Sequence, residues 1–114
     1  MKTHLMSVGS LVVALSCAAT PSLRTEASTS GIRAAEEVGA TEVPRAALHL
    51  QLAKEELEHA KQLAARGEGD RASSLLLRAE ADAELAVALS REDSEKSEAQ
   101  AAVERVRQLR QDNK

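Results

Sequence analysis

The chain has 114 residues, room for one domain, and its 22 alanines and 15 leucines stand beside no Phe, Trp or Tyr at all. The large aromatic burial that dominates many cores is therefore excluded, and stability must come from many small Ala and Leu contacts. A formal net charge of -3 without stacking aromatics also excludes the basic stripe or base-stacking platform of a nucleic-acid binder. Together with Glu, Lys, Arg and Gln, these are strong helix formers, so an all-α fold is expected and a β-sheet is not.

Lys2 supplies a positive start, and Leu5 to Leu15 is an uncharged, mostly apolar run of signal-peptide length. It is too short to span a bilayer, which needs roughly 20 apolar residues. The run ends in Ala14, Leu15, Ser16 and Cys17, where small residues at 14 and 16 suit a signal peptidase and the next residue is the only cysteine. The arrangement resembles a bacterial lipobox, with Ala14 where leucine is commonest. The resemblance implies cleavage after residue 16, diacylglycerol on the Cys17 thiol and acylation of the new amino group. Ala14-Leu15-Ser16 also satisfies the ordinary secretory peptidase, in which case the thiol is free or intermolecular. By resemblance to the sorting rule of enteric bacteria, Ala18 favours the periplasmic face of the outer membrane. Acyl chains contribute about 0.8 kcal/mol per buried methylene, so lipidation would hold the domain at a membrane.

From Ala18 to Ser30 the sequence is rich in Ser, Thr and Ala with one Pro, and residues 17–30 are expected to form a lipidated start and a flexible tether. Residues 31–114 are the expected helical domain. A short helix is predicted over about 31–38, capped by Ser30 and stopped by Gly39. Pro44 opens a second helix running to Arg66, because proline's fixed φ suits a first turn. Along it Ala46, Leu50, Ala53, Leu57, Ala60 and Ala64 alternate at spacings of four and three, an a/d seam. Gly67 and Gly69 mark a turn, Asp70 is the expected next N-cap, and Ala72, Leu76, Ala79, Ala83, Ala86 and Ser90 repeat the alternation.

Two such seams across a tight turn predict an antiparallel helical hairpin, or small bundle, with coiled-coil-like packing. Leu48, Leu52, Leu63, Leu75, Leu85 and Leu89 widen its apolar face, and Leu75, Leu85 and Leu89 are the candidate interaction stripe. The first helix, the C-terminal segment or a second copy could cover it. Residues 90–100 are polar all round before Ala99, Ala102, Val106 and Leu109 resume the heptad. No Pro or Gly intervenes, so the third helix is expected as one rod over about 70–111; the alternative is a break near 91–97 and a fourth helix folding back.

Glu56 and His59 have the Glu-x-x-His spacing of di-metal bundles, but a working centre needs two such motifs and two further carboxylates. A solvated polar face is therefore expected, with a metal-binding bundle as the lesser alternative. No Ser-His-Asp arrangement is visible, and Gly67-Glu68-Gly69 lacks the length and lysine of a phosphate loop. No catalytic residue, cofactor or small-molecule substrate is therefore expected. Lys114 gives the chain an ending that resembles the murein lipoprotein, whose terminal lysine is joined to peptidoglycan; wall attachment there is a further alternative.

The order of features is a lipobox, a spacer, Val38-Gly39-Ala40, then Pro44-Arg45-Ala46 opening an Ala/Leu helix, and Ala79-Glu80-Ala81-Asp82-Ala83-Glu84-Leu85-Ala86. It resembles the envelope family called domain of unknown function four-three-nine-eight, over nearly all of the chain after the leader. The resemblance implies a small α-helical envelope domain and no known activity. The combined expectation is a non-enzymatic, membrane-tethered lipoprotein that engages another envelope protein or its own copies.

Overall fold

A computed structural model describes residues 23–114, which form three α-helices and one short 3-10 turn. The expected leader, Cys17 and Ala18 lie outside the described residues. Helix α1 spans Glu26–Glu37, a 3-10 turn covers Ala40–Glu42, α2 spans Pro44–Ala65 and α3 spans Gly69–Asp112. They run up, down and up, with α3 packed most extensively on α2 and then on α1.

The α2–α3 connection follows from one glycine. Gly67 takes a φ of 80°, the left-handed region that a side chain disfavours. With the chain so turned, the Glu68 N–H reaches the Leu63 carbonyl at 2.9 Å and the Gly67 N–H reaches that of Ala64 at 3.0 Å. These two bonds are the Schellman pattern, and they satisfy carbonyls the helix end leaves open. Asp70 is not the N-cap: α3 already begins at Gly69, and Asp70 lies inside the first turn, where a carboxylate suits the helix dipole.

The two seams close on each other as their spacing requires. Ala46, Ala53, Ala60, Ala72, Ala79, Ala83 and Ala86 are fully buried, with Leu50, Leu57, Leu63 and Leu76 filling between them. Alanine on facing stripes lets helix axes approach toward the short end of the 8–10 Å range, which offsets the missing bulk of aromatics. Ala64 is only half-buried, and Ser90 ends the α3 seam with its hydroxyl buried.

The first helix departs from expectation. It starts at Glu26 rather than near residue 31, so residues 26–30 belong to the folded body and not to a tether. The reason is tertiary: Ser28 is buried and its Oγ donates to the Leu76 carbonyl of α3 at 3.0 Å. Gly31 sits so close to α3 that a Cβ there would meet the Ala83 Cβ at 3.0 Å. Packing thus overrides the weak helix propensity of a Ser/Thr-rich run. Ile32 and Ala35 complete the buried side of α1.

Helix α3 is unbroken over 44 residues, about 66 Å at 1.5 Å per residue. Its first half packs in the hairpin. Beyond Ser90 every residue is exposed, and no fourth helix folds back.

Candidate functional site

The side of the hairpin away from α1 carries a polar ladder that bridges α2 and α3. His49 and Glu56 are seven residues apart and so share one side of α2; Arg78 and Asp82 are four apart and share one side of α3. The His49 Nδ1 lies 2.7 Å from the Asp82 Oδ1, and Arg78 Nη2 donates to Glu56 Oε1 at 2.8 Å. On the opposite side of α2, Lys54 reaches Glu36 of α1.

Glu56 is the unusual member. It is 8% exposed, and its Oε2 is buried with no hydrogen-bond partner among the described residues. Burial pushes its carboxyl above the ordinary carboxylate range; the negative charge of Asp82 adds to that, against the pull of the Arg78 guanidinium. A carboxyl raised in the folded state favours folding most when protonated. Its contribution is fully present at acid pH and is lost as pH rises through the raised value. The ladder therefore aligns the two helices at some cost in stability at neutral pH, as buried charge commonly does.

Chemically the ladder offers little to a substrate. The concavity at the turn end of the hairpin is lined by Leu23, Ala27, Ser28, Leu76, Leu77 and Glu80, and touches none of the ladder residues. Glu56 and His59 do not converge: Glu56 is buried toward Arg78, while His59 is exposed. Among the described residues, no group of three His, Cys, Asp or Glu is placed to hold a metal ion.

The stripe expected at Leu75, Leu85 and Leu89 is not one open surface. Leu89 is 8% exposed and belongs to the core, Leu75 is half-buried against it, and only Leu85 stands out. Arg78 and Asp82 fall between Leu75 and Leu85 and break the apolar run with charge. Sequence spacing pointed to the face but missed the ladder on it. The signal was there in the heptad from His49 to Glu56 and the i, i+4 step from Arg78 to Asp82, had the two helices been aligned around Gly67.

The exposed apolar surface lies elsewhere, on the arm formed by residues 91–112. Val103, Val106 and Leu109 are each about half exposed. With Ala99 and Ala102 they make a helical stripe that lies about 14 to 29 Å beyond Ser90, at 1.5 Å per residue. The arm holds only local pairs, Lys96 with Glu92 and Arg107 with Glu104. Lys114 is exposed just past its end. None of the described helices is long and apolar enough to cross a membrane.

A family model, the domain of unknown function DUF4398, matches residues 25–102, from the start of α1 to the middle of the arm. No curated protein and no solved structure matches the chain.

Proposed function

The chain belongs to the DUF4398 family, a domain of unknown function, and from that premise we propose that it is a non-enzymatic cell-envelope lipoprotein working by helix-face recognition. One observation carries the recognition half of this reading: the α3 arm, exposed along its whole length, presents an apolar stripe that the hairpin does not cover. An isolated helix of this length is marginal in water, because helical stability in proteins comes chiefly from packing an apolar face. A partner on the stripe would supply that packing.

The anchoring half rests on Ala14-Leu15-Ser16-Cys17. Cys17 precedes Leu23 by six residues, a reach of about 20 Å when extended. An anchor there would hold the turn end of the hairpin near the membrane, since α1 begins beside that end, and point the arm away from it. The periplasmic face of the outer membrane is the site proposed from Ala18. The test is metabolic labelling with palmitate in a bacterial host: label on the wild-type protein and none on Cys17→Ser supports the anchor, and an unlabelled wild-type chain refutes it. Capture through a photo-reactive residue at Val106, compared with one at Ala81 on the hairpin, tests recognition by the arm. Equal capture at both positions would count against it.

A further inference from the structure

We infer that the arm is a self-association element: residues 91–112 of two copies pair antiparallel, centred near Ala102, into a short two-helix coil with a hairpin at each end. The inference rests on reading the arm as an interaction surface and is independent of the lipid anchor.

Three observations meet here. The apolar stripe of Ala99, Ala102, Val106 and Leu109 follows the three-four alternation of a coiled-coil seam, with Val103 beside it, and nothing within the described residues packs on it. The arm is also polarised in charge. Its first part, 91–98, sets Glu92, Asp93, Glu95 and Glu98 against Arg91 and Lys96. Its last part, 104–112, sets Arg105, Arg107 and Arg110 against Glu104 and Asp112. Antiparallel pairing lays the acidic part of each copy on the basic part of the other, whereas parallel pairing stacks like on like.

The third observation is which charges remain free. Lys96 and Arg107 are engaged within their own helix, while Glu98 and Arg105, like Arg91, Asp93, Glu95 and Arg110, have no ion-pair partner among the described residues. Glu98 and Arg105 are seven residues apart on one flank of the seam, and pairing centred near Ala102 sets Glu98 of each copy opposite Arg105 of the other. The same pairing places the Ala99 and Ala102 of both copies together at the middle, where small side chains permit close approach. Val106 and Leu109 then come level with Ser97 and Ser94 of the second copy, close to Glu95, so the apolar contact is short. A weak dimer, with a dissociation constant of about 10 to a few hundred micromolar, is expected from so little buried surface.

The test uses the full chain carrying Cys17→Ser, so that introduced cysteines are the only thiols. Sedimentation from about micromolar to about millimolar concentration should show a reversible monomer–dimer equilibrium, weakened by added salt. Val106→Asp should abolish it while leaving the circular dichroism of the hairpin in place. Glu98→Lys should weaken it about tenfold, as should Arg105→Glu, and the double exchange should restore it. Orientation is read from disulfides: Ala102→Cys should cross-link to itself, Leu109→Cys alone should not, and Leu109→Cys mixed with Glu95→Cys should. A chain that stays monomeric throughout, a dimer indifferent to Val106→Asp, or self-linking at Leu109→Cys would each overturn the inference. Failure of this kind is distinguishable from failure of the broader reading, because a different protein captured at Val106 would preserve arm recognition while excluding the self-pair.

Discussion

The two halves of α3 are one continuous helix, yet residues 69–90 hold twelve Ala, Leu and Val beside six charged residues, residues 91–112 hold six beside eleven, and the two live in different environments. In residues 69–90 an apolar side chain at nearly every seam position is buried against α1 or α2; in 91–112 not one residue is. Helical secondary structure is common to both, so the contrast separates what the local sequence supplies from what packing supplies. The first half is stabilised by burial, and the second has only its propensity and a few i, i+4 or i, i+3 pairs, each contributing about 0.2–0.5 kcal/mol.

The contrast should be widest in hydrogen exchange. In dilute monomer, amides of Leu76 to Leu89 are expected to exchange only with global opening, whereas those of Ala99 to Leu109 should exchange within about 1 kcal/mol of the unprotected rate. Equal protection in the two halves would erase the distinction. Truncation comes next: Leu57→Ala, opening a cavity in the hairpin, should cost about 3 kcal/mol by urea denaturation, and Leu109→Ala on the arm less than about 0.5 kcal/mol.

Enlargement sharpens the same comparison from the other side. Ala83 is fully buried where Gly31 makes the closest approach of α1, so Ala83→Leu should destabilise by about 2 kcal/mol and loosen α1 first. Ala101→Leu on the arm should change stability by less than about 0.5 kcal/mol. The smallest effect is electrostatic. Glu56→Gln removes a buried charge whose pKa is raised, so the variant should match or exceed wild type at neutral pH by up to about 1 kcal/mol. In acid, where Glu56 is protonated, the difference should vanish. A variant less stable at pH 7 than at pH 4, relative to wild type, would show that the Arg78 pair outweighs desolvation.

Much of the site could be read only partly from the chain. The seam positions in α2 and α3 were legible because a helix repeats every 3.6 residues, and alanine and leucine mark that period whatever surrounds them. The start of α1 was not, because Ser28 and Gly31 carry no helical signal of their own; their role exists only against Leu76 and Ala83. Leu89 is buried although its sequence position suggests an open stripe, because a place on the helix flank says nothing about how far around α3 the neighbouring helices reach.

The sequence by itself determined that this protein is helical, where its hairpin turns, and which alanines and leucines face inward, since periodicity, glycine's left-handed freedom and proline's fixed φ are local properties. It also carries the apolar run before Cys17 on which the proposed anchor rests. Only the tertiary structure decided that α1 begins at Glu26, that charge closes the far side of the hairpin, and that the second half of α3 stands clear of it. Those outcomes depend on how closely separate helices approach, a sum over distant residues that no short window of sequence contains.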